Sequence, residues 1–364
     1  MRILYAVHRY PPHIGGSEVV SQRVVEYLVG RGHEVTVATG HHPDRVSGAG
    51  PRIEQFRLAR GDLWPDVKPS RRTEADRYRA LFASEWDARI LYTAQNWHLD
   101  LVWDLVGTSP ARDILAPVGF SLLGNPGARE YFELMEELLP KFHRVVYHSD
   151  TYQDYGFARD RGLLGNAVVI PNGTDLPALP ESVWDKHARP GARLVSVASH
   201  VRSKGHADFF SACRRTRLGG TLVAPRPVST VERFRGCYHQ CRARLAFARN
   251  VEMIDGHDRH AVESIVADAQ LFFLPSKIET APLVLLEAMA RATPWVSYDV
   301  GMVKALPGGV VVRDLGAAVD TLVELAADPA RRMALAEAGR AEIAERYEWS
   351  LVLPEYARLV ESPS

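Results

Sequence analysis

The chain alternates between two hydrophobic rhythms. Short, solid apolar runs bounded by polar turns give way to longer stretches in which apolar residues return every third or fourth position. The first rhythm reads as strands buried on both faces, the second as helices laid across them. "RILYAV" opens the series, followed by the turn "HRYPPHIGG". In "SEVVSQRVVEYLVGRGHE", Val20, Val24 and Leu28, flanked by Val25 and Tyr27, form a helical stripe. Ser17 is the expected cap and Gly30 or Gly32 the expected stop. The strand "EVTVAT" follows at once, completing a strand, helix, strand unit of the parallel-sheet kind.

The alternation continues through "RILYTA" (89–94), "DILAPVGF" (113–120), "RVVYHS" (144–149) and "AVVIPNG" (167–173), with helical patterns such as "AREYFELMEELLPKF" between them. An arginine-rich polar stretch, 50–88, fits neither rhythm. Residues 174–192, "TDLPALPESVWDKHARPGA", lack periodicity, are rich in proline and read as a linker. Beyond it "RLVSVASH", "TLVAPR", "VEMIDG", "AQLFFLPS", "PWVSYD" and "GGVVVRD" read as a second set of strands. The tail is helical with one break near Trp349. This order predicts an α/β protein of two Rossmann-like, doubly wound domains. Residues 1–175 would form the first, 190–348 the second and 349–364 a C-terminal helix packing back on the first.

Composition narrows the possibilities. The 364 residues are 46% hydrophobic and 24% charged, enough to bury a large core divided between domains. Lys plus Arg and Asp plus Glu each total 44, so no net charge draws a polyanion, and nucleic acid is not an expected partner. No apolar stretch reaches the roughly 18 residues that span a bilayer, and the N-terminus turns polar too soon for a signal peptide. A cytoplasmic location is expected, with peripheral contact at the inner membrane surface left open. Cys213, Cys237 and Cys241 are an odd number, which argues for reduced thiols. "CYHQC" (237–241) places two thiols on one helical turn around His239. No second ligand pair with zinc spacing is evident, so they read as buried helix thiols and no metal is expected there.

Ligands of open parallel sheets sit beyond the carboxyl ends of the strands, so the loops there are the candidates. In "PPHIGGSE", Gly15 and Gly16 lead into a helix, either to bring backbone N–H groups to an anion or as a plain tight turn. The dinucleotide spacing G-x-G-x-x-G is absent. In "VASHVRSKGHADFF", Arg202 and Lys204 precede a helix and either grip a diphosphate or are merely solvated. In "PSKIETAPLVLLEAMARATP", Pro282 belongs in the first turn of a helix. Glu279 then lies in the preceding loop and Glu287 about one and a half turns into the helix. Glu287 sits among apolar neighbours and is either ion-paired or held for a hydrogen-bonding ligand such as a ribose diol.

"ETAPLVLLEAMARATP" resembles the E-x7-E element of retaining glycosyltransferases of the GT-B fold, family 4. "YPPHIGGSE", "VVIPNGTDL" and "SHVRSKGHADFF" follow the order of that family, so the likeness covers most of the chain. The resemblance implies two domains facing a central cleft, a nucleotide-sugar donor with UDP favoured, and an acceptor in glycan or glycoconjugate biosynthesis. That acceptor would be a glycan, a lipid-linked glycan or a small molecule. Gly15 and Gly16 would face the donor phosphates, Arg202 and Lys204 would neutralise the diphosphate, and Glu287 would hold the ribose. Glu279 would sit near the transferred sugar, with the N–H groups of Ala281, Leu283 and Val284 adding to the phosphate cradle. Glu279, Lys204 and Arg202 are the implied catalytic set. His8, His13, Trp97 and His98 are candidate sugar or acceptor contacts.

Ser199 stands where the family often has arginine, "TAP" replaces its glycine-aromatic-glycine segment, and "LAPVGFSLLGN" lacks the histidine common there. No D-x-D pair occurs, so neither a cofactor nor a divalent metal is expected at the diphosphate. An epimerase or phosphorylase on the same fold, or an inactive nucleotide-sugar binding protein, are the alternative readings.

Overall fold

The structure is a computed structural model and describes residues 1–45, 50–189, 191–227, 236–256 and 258–361. Pro190 of the expected linker and residues 362–364 of the tail thus fall outside it. The chain divides into two compact units: residues 1–172 with 350 onward, and residues 173–349.

The first unit is built on a seven-stranded parallel sheet in the order β3-β2-β1-β4-β5-β6-β7. Its strands are β1 (Arg2–Val7), β2 (Glu34–Gly40), β3 (Arg52–Phe56), β4 (Ala88–Tyr92), β5 (Arg112–Ala116), β6 (Arg144–Tyr147) and β7 (Ala167–Val169). β1 is buried from Ile3 to Val7, as a central parallel strand covered on both faces must be. Helix Gly16–Gly30 lays Val20, Val24, Val25 and Leu28 inward. The polar stretch 50–88 supplies the edge strand β3 and helix Arg72–Ala83. Inside the sheet, Arg89 of β4 and Asp113 of β5 are register partners and form a buried bidentate ion pair, 2.6 and 2.8 Å. The C-terminal helix Trp349–Glu361 joins this unit from Ser350 onward.

The second unit holds a six-stranded parallel sheet, β10-β9-β8-β11-β12-β13. These are β8 (Arg193–Val197), β9 (Gly219–Val223), β10 (Val251–Ile254), β11 (Leu271–Leu274), β12 (Trp295–Tyr298) and β13 (Gly309–Val312). Both sheets have the doubly wound, Rossmann-like order.

The stretch read as a linker is packed into the second unit. Helix Glu181–Asp185 and the turn Lys186–Ala188 lie in it. Lys186 is buried and donates to the Ala267 carbonyl (2.6 Å) and Thr293 Oγ1 (2.9 Å). Arg332, fully buried, donates to four carbonyls, two of them those of His187 and Arg189. Sparse periodicity hid this packing, because here polar side chains do the anchoring. At the unit's two ends Gly173 packs under Trp349, whose ring atoms lie 2.3 Å from where a Cβ would stand. Among the described residues no helix is long and apolar enough to cross a membrane.

Candidate active site

In the second unit β8 and β11 are neighbours in the sheet, yet the chain leaves β8 toward β9 on one side and β11 toward β12 on the other. The loops after these two strands therefore part at their carboxyl ends and open the crevice at which such sheets bind ligands. The loop after β8 carries Arg202 and Lys204, and the loop after β11 carries Glu279. A backbone hydrogen bond, Lys277 N–H to the Ser203 carbonyl, ties them at 2.7 Å. Lys204 Nζ donates to Glu279 Oε1 at 2.7 Å, so two residues 75 positions apart meet as a partly buried ion pair. Gly205 makes this approach possible. It has φ 68°, and a Cβ there would lie 1.9 Å from the Pro275 carbonyl oxygen. Gly301 does the same from a third loop, where a Cβ would stand 2.2 Å from the Thr280 oxygen.

Helix Leu283–Ala290 begins directly after Pro282. Its first N–H groups, Leu283 and Val284, precede any intrahelical acceptor, and the helix dipole makes this end positive. Glu287 keeps 19% of its side chain exposed and accepts from Arg259 at 2.9 Å. Burial raises its carboxyl pKa, against the pull of the Arg259 and Arg291 guanidinium groups. Arg259 and Arg291 also both reach Glu263 at 3.0 Å. The sequence reading missed both arginines. Only the i,i+4 spacing of Arg259 and Glu263 hinted at a charged network. Arg202 is exposed, on the turn Arg202–Lys204, outside the Lys204–Glu279 pair.

The corresponding switch point of the first sheet lies between β1 and β4. His8, just past β1, accepts a 3.0 Å hydrogen bond at Nδ1 from the indole N–H of Trp97. Burial, then Arg9 and Arg60, push the His8 imidazole down to about 4, so it is neutral at pH 7 with its proton on Nε2. His13 stands edge-on to His42 at 4.5 Å and is likewise lowered to about 4, mainly by burial.

Trp97 and His98, read as candidate sugar or acceptor contacts, lie in the core. Both are fully buried, Trp97 packing on Phe56 and Tyr78, so neither ring presents a face to a ligand. Burial pushes His98 down to about 3. Gly15, extended rather than left-handed at φ 173°, takes the cap position, and Gly16 opens the helix. Ser17, the expected cap, lies inside the first turn and donates to Glu18 Oε2 at 2.9 Å.

Backbone strain marks a feature that sequence patterns do not carry. Thr93, Gln95 and Val118 all have positive φ (78°, 60° and 56°) in the loops after β4 and β5. Such residues rarely adopt it, and strain of this kind gathers at functional loops. Tyr131 Oη accepts from Gln95 N–H at 2.8 Å and donates to Asp100 Oδ1 at 3.1 Å. Asp100 is buried, which raises its carboxyl pKa to about 7.

Elsewhere in the second unit the expectation that Cys237 and Cys241 lack a second ligand pair does not hold. His200 in the loop after β8 and His206 at the start of the helix that follows, His206–Thr216, close on both thiols. Five intervening residues make the histidine pair H-x5-H, and the thiols are C-x3-C, both spacings found in zinc sites, so the signal was in the sequence and the reading overlooked it.

Two parallel-sheet units of Rossmann-like order define the GT-B class, and solved structures of that class share the fold over the whole chain. Sucrose-phosphate synthase from Thermosynechococcus elongatus matches at TM-score 0.78 and 18% identity, covering 98% of each chain. HepE from Anabaena, in complex with UDP and glucose, matches at TM-score 0.75 and 15% identity over 99% of each. An MMP alpha-(1->4)-mannosyltransferase from Mycolicibacterium hassiacum is 23% identical over 421 aligned positions, 99% of this chain and 98% of the relative. Residues 239–341, which include Arg259, Glu279 and Glu287, match the family described as Glycosyl transferases group 1. The chain thus has the GT-B fold, and residues 239–341 of its second unit are similar to the group 1 glycosyltransferases.

Proposed function

We propose that the protein transfers a hexose from a nucleoside-diphosphate donor to an acceptor hydroxyl, with retention at the anomeric carbon. The observation that carries this reading is the Lys204–Glu279 pair at the switch point of the second sheet, beside the open N-terminus of helix Leu283–Ala290. A diphosphate in that crevice takes Lys204 and the helix N–H groups as partners for its charge. Glu287 exchanges part of its contact with Arg259 for the ribose hydroxyls. The sugar C1–O bond to the diphosphate breaks, the acceptor oxygen bonds C1 on the same face, and the acceptor proton passes to the leaving diphosphate. Stabilising charge on that leaving group is the protein's main contribution. Glu279, the partner of Lys204, then counters positive charge that develops on the sugar.

UDP is the proposed nucleotide, on the likeness to HepE, which is solved with UDP and with UDP-glucose. The mannosyltransferase relative supports a hexose. A thermal-shift panel of UDP, GDP, ADP and their sugar conjugates tests this, because a ligand of the folded state raises its apparent stability. UDP compounds are expected to stabilise the wild type selectively. Glu287→Gln should weaken that binding by about 1–3 kcal/mol, and Lys204→Ala should weaken UDP far more than uridine. Equal responses of wild type and both variants would remove these residues from the donor site.

A further inference from the structure

Four side chains outside the proposed donor chemistry form a buried His/Cys group among the described residues of the second unit. His200, His206, Cys237 and Cys241 are each 6% exposed or less, and one ligand atom from each lies within 4.8 Å of all the others. Cys237 Sγ is 3.3 Å from His206 Nδ1 and 3.8 Å from His200 Nδ1. Cys241 Sγ is 3.4 Å from His206 Nδ1 and 3.7 Å from Cys237 Sγ.

The four separations, 3.3–3.8 Å, are close to those that tetrahedral coordination sets. A tetrahedral zinc with Zn–S of about 2.3 Å and Zn–N of about 2.05 Å sets S···S near 3.8 Å and S···N near 3.6 Å. A disulfide would need the two sulfurs at about 2.05 Å. A cluster held only by its own hydrogen bonds is a poor alternative, since thiols are weak donors and acceptors. Both Nε2 atoms are buried without a partner among the described residues, so the two imidazoles have little beyond the thiols to offset their desolvation.

We propose that His200, His206, Cys237 and Cys241 bind one thiophilic divalent cation, zinc foremost, as a closed structural site. Two thiolates and two imidazoles in a tetrahedron suit zinc in ligand softness and geometry, and four protein ligands leave no position for a reacting water. Binding displaces the two thiol protons to solvent. His206, Cys237 and Cys241 also line a cavity with Gly205, Gln240 and Arg244, which gives the cation a way in.

The site has a structural purpose beyond the cation itself. His200 and His206 bracket the turn that carries Arg202 and Lys204, while Cys237 and Cys241 belong to helix Tyr238–Leu245 and its cap. The Cys237 N–H also donates to the His200 carbonyl at 3.2 Å. The cation therefore staples the loop after β8 to that helix and fixes the base from which Lys204 reaches Glu279. This consequence rests on the proposed function; the metal site does not.

The test uses the untagged full chain produced with zinc in the medium. Elemental analysis should find about one equivalent of zinc per chain, reduced at least fivefold in Cys241→Ser and His206→Ala and unchanged in Cys213→Ser. Chelator-treated wild type titrated with cobalt(II) should give sulfur-to-cobalt charge-transfer absorption and intense tetrahedral d–d bands, saturating at one equivalent. This second measurement does not depend on any variant folding. Zinc should protect two of the three cysteines from a thiol reagent. An intact mass two units low, showing a disulfide, would overturn the proposal, as would wild type that gives no tetrahedral cobalt spectrum. Neither readout involves sugar transfer, so a failed donor assignment leaves the metal result standing.

Discussion

Lys204 is held by a carboxylate, Glu279, at 2.7 Å. Glu279 orients its ammonium in the crevice, and under the proposed function the partly buried pair would limit the reordering required when a diphosphate takes over that charge. Asp100 is the opposite case, a buried carboxyl whose hydrogen-bond partner is the neutral Tyr131. Its pKa rises from 3.8 to about 7 on folding, so between those values the folded chain holds a proton that the unfolded chain has lost. The stability linked to this proton is complete below about pH 4 and is lost as pH rises through 7. Asp100→Asn keeps an acceptor for Tyr131 and cannot ionise. Urea unfolding at several pH values should show about 2–4 kcal/mol less loss between pH 4 and 8 in the variant than in wild type. Parallel curves would mean that Asp100 is ionised in the folded state.

At the scale of elements, the strands that line both switch points were legible, because a parallel strand covered on both faces must be apolar throughout. The edge strand β3 was not, since one flank of an edge meets solvent and "RIEQF" shows neither a solid run nor a full alternation. The crevice itself was legible in outline: Glu279, Lys204 and Glu287 stood out as charges beside glycine or apolar residues. Their partners were not, because Arg259 reaches Glu287 across 28 positions and no local pattern records such a meeting. Val118 was equally hidden, since its positive φ is imposed by the surrounding fold and not by its own preference.

Gly205 shows where local chemistry and tertiary approach coincide. Left-handed φ alone favours glycine there, but the 1.9 Å separation from the Pro275 oxygen adds a clash that no rotamer relieves. Gly205→Ala should cost about 2–4 kcal/mol and separate the two loops that carry Lys204 and Glu279. Chemical denaturation together with UDP affinity checks this. Unchanged stability would mean that the loops can part freely, and their close approach would then not organise the site.

At the scale of the whole molecule, the chain leaves the first unit after Asn172 and returns to it at Ser350. The returning helix is part of that unit's core. Val352, Leu353, Tyr356, Leu359 and Val360 are all buried, and Arg112 donates to the Val360 carbonyl. Glu361 accepts from Arg31 at 2.7 and 3.0 Å and lies 2.9 Å from His33 Nε2. Burying five such side chains contributes on the order of 10 kcal/mol, which is comparable with the entire stability of a typical domain. A chain ending at Trp349 should therefore lose the cooperative unfolding of its first unit, while the second, whose sheet and core clusters lie between 173 and 349, keeps its own transition. Calorimetry with limited proteolysis separates the two: the truncated chain should show one transition and a protected fragment beginning near Gly173. Two undiminished transitions would show that the first unit folds without the helix, and the return of the chain at Ser350 would then serve something other than completing its core.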